Sequence, residues 1–318
     1  MIIALDAMGG DYAPEETVAG AVTWSQASDD VVLLVGREES LQGELVKYDY
    51  DRERIRIINA SQVMGMDEPV ASLRKKQDSS IVVATRLVKE GQAEAVVSCG
   101  STGAQMAAAT LVLGRLEGIE RPPIVAGAPG VKDRVTLLLD VGANVDCKPQ
   151  QLMQFALLGS VYASAVLGMK NPRIGLLSNG EEEGKGNKLS TETYALLQDQ
   201  QGMNFIGNVE GRDLFFDKAE VVVCDGFVGN ILLKALEGFA QLIGMSCLAE
   251  TGQMPSLFAR LDNSKVGGAP LLGINGVSIV CHGSSKREAV YNGIRIARQC
   301  VAGQMVAKQQ SALRGQQK

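Results

Sequence analysis

The chain has 318 residues, 46% of them hydrophobic, with six cysteines, one histidine and a formal net charge of −5. That is enough apolar sequence for one domain with a substantial core, whereas the negative balance and short basic stretches exclude the diffuse phosphate attraction on which nucleic-acid binders depend. Cys99, Cys147, Cys224, Cys247, Cys281 and Cys300 form no C-x-x-C pair and have only His282 to help them ligate an ion, so they read as reduced thiols and neither metal nor cofactor is expected.

The amino terminus, MIIALDAMGGD, carries neither a basic segment nor an apolar stretch of secretory length, so no export signal is expected. From there, short β-rich runs alternate with helical patterns: MIIALDA, VVLLVG, IRIINA, AEAVVSC, PIVAGA, VTLLLD, RIGLLS, NFIGNV, AEVVVCD and VSIVCHG. The alternation predicts an α/β fold with a doubly wound, mainly parallel sheet. Several runs are apolar throughout, as strands covered by helices on both faces must be. Pro149 to Met169 contains no charged residue, yet it lies between two strand-like runs and is diluted by Gln150, Gln151 and Gln154, which predicts a buried crossover helix and no membrane span.

Between Gly229 and Glu250, Leu232, Leu236, Phe239 and Ile243 recur at helical spacing, and after Gly252 and Pro255 come Leu257, Phe258 and Leu261. This predicts a helical hairpin inserted at about 229–266, suited to core or dimer packing, or to contact with a membrane or an acyl chain through Leu257, Phe258 and Leu261. The remainder, residues 1–318, reads as a single catalytic domain ending in a polar, frayed tail at about 308–318.

Six glycine-containing polar stretches follow six of the strand runs: Asp6–Asp11, Ser98–Gly103, Asp140–Asn144, Ser178–Asn187, Cys224–Asn230 and Cys281–Ser285. Ligands of open α/β sheets bind beyond the carboxyl ends of the strands, where glycine lets backbone approach and helix N-termini offer N–H groups to oxyanions. Six such loops on one rim predict an anionic substrate. Nucleotide motifs do not fit: no G-x-G-x-x-G follows the first strand, and Gly180–Gly186 lacks the spacing and the Ser or Thr of a P-loop.

In their order, the segments DAMGGD, SCGSTGA, RPPI, LLLDVGANVDC, SNGEEEGKGN, VVVCDGFVGN, GGAPLLGINGV and CHGSS resemble the bacterial phosphate acyltransferase family of phospholipid synthesis over nearly the whole chain. The chain departs from that pattern at Cys99, Ser101 and Gly184. The resemblance implies a fold shared with phosphotransacetylases and isopropylmalate dehydrogenases. It also implies transfer of a fatty acyl group from acyl carrier protein to inorganic phosphate, a homodimer, and peripheral work at the inner face of the cell membrane beside a glycerol-3-phosphate acyltransferase. The nearest alternative is a phosphotransacetylase-type enzyme using short acyl-CoA; a silent membrane organiser and a dehydrogenase suit the loops less well.

Such a reaction needs positioning and charge more than covalent help, because phosphate is already a nucleophile and a thiol a tolerable leaving group. The candidate catalytic residues are Lys185, His282, Asn230 and Asn144: a cation, a candidate acid or base, and two neutral donors for an oxyanion. The candidate substrate-binding set is Gly9, Gly10, Asp11, Ser101, Thr102, Gly103, Asn179, Gly186, Asn187, Lys188, Asp225, Gly226, Gly229, Ser284 and Ser285. Asparagine can equally cap a helix, and the histidine can equally pin its own loop. Asp6, Asp11, Asp140 and Asp225 would repel phosphate directly and are expected to orient neighbouring groups. An acidic carrier protein calls for a basic face, for which Arg287, Arg295 and Arg298, or Arg74, Lys75 and Lys76, are the candidates.

Overall fold

The computed structural model describes residues 1–131, 134–253 and 267–316. Its strands are β1 (Ile2–Asp6), β2 (Val31–Gly36), β3 (Ile55–Asn59), β4 (Ala95–Ser98), β5 (Val125–Pro129), β6 (Val135–Leu139), β7 (Ile174–Leu177), β8 (Phe205–Val209), β9 (Val221–Val223), β10 (Gly268–Leu271) and β11 (Val277–Cys281). The helices are α1 (Glu15–Ala27), α2 (Glu38–Leu45), α3 (Ser80–Lys89), α4 (Thr102–Ala108), α5 (Pro149–Ala165), α6 (Lys188–Gln198), α7 (Gly226–Thr251), α8 (Arg287–Ala302) and α9 (Met305–Gln316).

Two sheets are present where the strand alternation implies one, and the chain divides into two compact units: Met1–Gly114 with Asn263–Ala302, and Arg115–Asp262 with Gly303–Lys318. The first unit carries six strands in the order β10-β11-β4-β1-β2-β3. All its pairings are parallel except that of the edge strand β10. Every residue of β4 and β11 is buried, as the unbroken apolar runs require of strands covered on both faces. α8 presents Ala289, Val290, Gly293, Ile294, Ala297 and Cys300 to the interior at helical spacing and packs on α1 and β11.

The second unit carries five strands in the order β5-β6-β9-β7-β8, parallel apart from the edge strand β5. The uncharged stretch after Pro149 is the crossover helix α5, and nine of its residues, Phe155 and Leu158 among them, are buried. The tail differs from the expectation of a frayed end. It is α9, which packs on α5 through Met305, Gln309 and Leu313, a buried i, i+4, i+8 stripe too sparse to stand out among the surrounding polar residues.

The first arm of the expected hairpin is present. It is a single helix of 26 residues, starting at Gly226 and ending where Gly252 turns left-handed at φ 67°. Only Gly226, Gly229, Ala240 and Gly244 along it are buried, while Phe227, Ile231, Phe239, Leu242 and Met245 are more than half exposed. By length and composition it is α7, rather than the Pro149–Met169 segment, that could cross a bilayer. Leu257, Phe258 and Leu261 lie outside the described residues.

Candidate active site

The six loops divide three and three between the two units. In the first, β11, β4 and β1 are adjacent and parallel, so the chain segments that leave their carboxyl ends are neighbours. The backbone N–H of Asp11 donates to the Gly283 carbonyl at 2.9 Å. A Cβ on Gly9 would stand 2.8 Å from the Gly100 nitrogen and one on Gly10 would stand 3.0 Å from Cβ of Cys99, so both glycines serve the packing of loop against loop. Beneath them Asp6 is buried and accepts the Ser98 hydroxyl at 2.7 Å, and Ser98 in turn accepts the Gly100 N–H at 3.0 Å. Burial pushes the Asp6 carboxyl above the usual carboxylate range, with the hydrogen bonds from Ser80 and Ser98 opposing the shift.

Ser101 and Thr102 open α4 and are at least partly exposed, with Gly103 against Val70. His282 is exposed, and its Nδ1 accepts the Ser284 backbone N–H at 3.2 Å and lies 2.7 Å from the Ser284 hydroxyl. An Nδ1 that accepts leaves Nε2 as the protonated nitrogen of the neutral ring. Ser285 is buried, and its hydroxyl has no hydrogen-bond partner among the described residues.

In the second unit the adjacent parallel strands are β6, β9 and β7. Asp140, which follows β6, is wholly buried and accepts from the Ile124 N–H at 2.9 Å, the Ala143 N–H at 3.1 Å, and both the backbone and side-chain N–H groups of Asn144. The Asn144 amide also donates to the Pro122 carbonyl at 2.9 Å. Both of its amide hydrogens are therefore committed, and Asn144 builds the loop instead of offering a donor to an oxyanion. Its carbonyl accepts the Gly226 N–H at 2.8 Å, which fixes the start of α7. A Cβ on Gly229 would collide with the Asp140 carbonyl oxygen, so Gly226 and Gly229, both buried, are where α7 meets this loop. Asp225 caps α7 by accepting the Val228 N–H at 2.9 Å, and Asn230 lies beside Gly142.

The loop after β7 leads into α6. Asn187 caps that helix by accepting the Ser190 N–H at 2.9 Å, and Gly186, at φ 108°, passes so close to Ser190 that a side chain there would collide with its hydroxyl. The stem of Lys185 lies against Gly180, its head is exposed, and Lys188 makes only a loose exposed pair with Glu192 at 3.8 Å. Glu181 pairs with Lys218 at 2.7 Å and not with Lys185. Glu181, Glu210 and Asp213 bring carboxylate oxygens together, but Lys218 also contacts Asp213 and Arg212 contacts Glu210, so each of the three carboxylates has a cation partner.

Between these elements of the second unit lies a groove of about 690 Å³. One end is polar, with Ser178, Asn179, Asn187, Ser190 and Asp225. The rest is apolar, with Leu152, Leu176, Leu189, Val228, Ile231 and Leu232 prominent. The Ser178 hydroxyl is buried without a hydrogen-bond partner among the described residues, an arrangement that costs stability unless a ligand or water satisfies it. Leu152, Leu189 and Ser190 were not legible as site residues, because they belong to helices whose place beside β7 depends on strand order.

The profile of the family described as "Fatty acid synthesis protein" matches residues 1–308. A protein of Syntrophomonas wolfei named phosphate acyltransferase is 60% identical over 315 residues, covering 98% of each chain. The chain belongs to the phosphate acyltransferase family. Another phosphate acyltransferase, from Heliobacterium modesticaldum, is 51% identical over 99% of this chain and 98% of its own. The fold of this phosphate acyltransferase family member is shared with a phosphotransacetylase from Streptococcus pyogenes, at a TM-score of 0.66 and 18% identity over 96% of this chain and 94% of the other. It is shared also with a 4-hydroxythreonine-4-phosphate dehydrogenase from Klebsiella pneumoniae, at 0.59 and 14% over 94% and 98%. The protein is thus an acyltransferase of lipid biosynthesis.

Proposed function

We propose that the chain transfers a fatty acyl group from acyl carrier protein to inorganic phosphate. A phosphate oxygen attacks the thioester carbonyl, the carbon–sulfur bond breaks, and the thiolate takes up the proton that phosphate gives up, leaving an acyl phosphate and free carrier protein. The observation that carries this reading is the groove with a polar end and an apolar wall: one substrate is a small oxyanion and the other a hydrocarbon. Lys185 and the Ser178, Asn179 and Asn187 side chains supply charge and donors for phosphate, with Lys188 adding to the local potential. Ser101, Thr102, Ser284 and Ser285 are assigned as substrate contacts of the first unit, Asn230 as a donor to the developing oxyanion, and His282 as an acid or base of modest importance.

The acyl phosphate, a mixed anhydride, is a suitable donor to glycerol-3-phosphate through a membrane acyltransferase, and a cytoplasmic enzyme at the inner face of the membrane would deliver it there. The exposed apolar residues of α7 that do not line the groove, Phe239, Leu242 and Met245 among them, are assigned to a second copy of the chain, since a patch of this kind is costly to leave in water. Membrane contact is assigned to Leu257, Phe258 and Leu261. For the carrier protein, Arg287 is paired with Glu16, Arg298 with Asp30 and Lys76 with Glu68, so each basic cluster presents less charge than its sequence suggests.

The test is to incubate the purified chain with a long-chain acyl-carrier-protein thioester, with and without phosphate, and to follow thiol release together with hydroxylamine-reactive product. Phosphate-dependent release matched by acyl phosphate is expected. Phosphate-independent release, or turnover of short acyl-CoA alone, would overturn the assignment.

A further inference from the structure

We infer that the acyl chain of the donor lies along α7 and that Ala235 sets how long a chain the groove accepts; this rests on the acyl-transfer reading above. Four residues of α7 line the groove, Val228, Ile231, Leu232 and Ala235. Their i, i+3, i+4, i+7 spacing is that of one helix face, so the groove follows the helix axis instead of crossing it.

The two ends differ in character. Leu176 of β7 is paired in register with Val223 of β9, so two residues further on Ser178 comes beside Asp225, the cap of α7. A Cβ on Gly186 would stand 3.0 Å from the Ser178 hydroxyl, which brings the Asn187 and Ser190 turn to the same place. The polar groups are thus gathered at the first turn of α7. Further along the helix, Leu232 has Gly211 beside it, and Leu152 and Leu189 also line the groove. From Asp225 to Ala235 is ten residues, or about 15 Å at the rise of an α-helix.

A thioester whose carbonyl sits at the polar end must send its chain toward Ala235. A two-carbon acyl group has no use for such a wall. Val228, Ile231 and Leu232 each fill their turn with a branched side chain, whereas Ala235 leaves a notch at the far end. It is exposed and lies within a helix, so a larger helix-forming residue is accommodated there without disturbing the core.

The experiment compares the full-length chain with Ala235→Leu and Ala235→Met. For butanoyl, octanoyl and hexadecanoyl thioesters of acyl carrier protein, kcat/KM is measured with saturating phosphate. The ratio of hexadecanoyl to butanoyl is expected to fall at least about tenfold in both variants, the scale on which a pocket discriminates by added methylenes. General damage lowers all three donors together and leaves the ratio unchanged; an unchanged ratio overturns the inference. Displacement of a fluorescent long-chain fatty acid by hexadecanoate reads the groove without chemistry. Weaker displacement in the variants supports the assignment, and equal displacement sinks it. If the parent chain makes no acyl phosphate from any donor yet binds hexadecanoate through this groove, the reaction reading fails while the groove assignment stands.

Discussion

Asp140 accepts two hydrogen bonds from Asn144, one from its backbone N–H at 2.6 Å and one from its side-chain amide at 2.9 Å. With the Ile124 and Ala143 N–H groups also directed at it, the buried carboxyl joins β5, β6 and the start of α7 through one side chain. Replacing Asn144 by alanine leaves the Pro122 carbonyl and one Asp140 contact without a partner. A loss of about 1–3 kcal/mol in unfolding free energy is expected, measured by urea titration. A variant as stable as the parent would show that Asn144 is not a structural tie.

The glycines of the loops separate by the same logic. At Gly229 an added methyl would collide with the Asp140 carbonyl oxygen, while at Gly184 it would meet nothing within 4 Å. Gly229→Ala should cost about 3 kcal/mol or more, because helix or loop must move. Gly184→Ala should be neutral or stabilising by up to about 1 kcal/mol through the unfolded chain. Thermal unfolding of the two variants side by side checks the contrast.

The Ser178 hydroxyl has no hydrogen-bond partner among the described residues, so Ser178→Ala is expected to leave stability unchanged or raise it. If the hydroxyl meets phosphate, KM for phosphate rises about fivefold to tenfold, since one hydrogen bond is worth about 1 kcal/mol. Lys185→Met should raise it further, by about tenfold or more, because its hydrogen bond is charged. Phosphate saturation curves that coincide with the parent would remove both residues from the cradle.

His282 is fixed through Nδ1, which an asparagine oxygen can imitate. His282→Asn is expected to keep most of the turnover and His282→Ala to lose about fivefold, the worth of the Ser284 hydrogen bond. An equal loss of two orders of magnitude in both, with the pH profile flattened, would instead make the imidazole the proton carrier.

The buried Asp6 makes a prediction about pH. Its folded pKa is raised chiefly by burial, so the native state holds the proton more tightly than the unfolded chain does. Its contribution to stability is fully present below about pH 4, the value for an unfolded aspartate, and is lost as the pH rises through the folded value. The unfolding free energy of the parent minus that of Asp6→Asn should therefore decline with rising pH from about 4 upward. A difference that grows with pH would show that hydrogen bonds from Ser98 and its neighbours dominate.

What could be read from sequence was what depends on near neighbours in the chain. VVLLVG and VSIVC are strands because unbroken β-branched runs suit a surface covered on both sides, and Pro149–Ala165 is a crossover helix for want of charge between two strands. The order of the eight segments carried the family in the same way. Strand order and hydrogen-bond commitment required the tertiary structure. The parting of six loops into two sets of three follows from β11, β4 and β1 lying side by side in one sheet and β6, β9 and β7 in another, which no local period encodes. Asn144 reads as a donor for an oxyanion until Asp140 and Pro122 are seen to engage both of its amide hydrogens. The apolar spacing of α7 is the same whether that face meets a core or water, and the sparse stripe of α9 gains meaning only against α5. Periodicity is a property of a few turns of chain, whereas burial is decided by residues brought together from far along it.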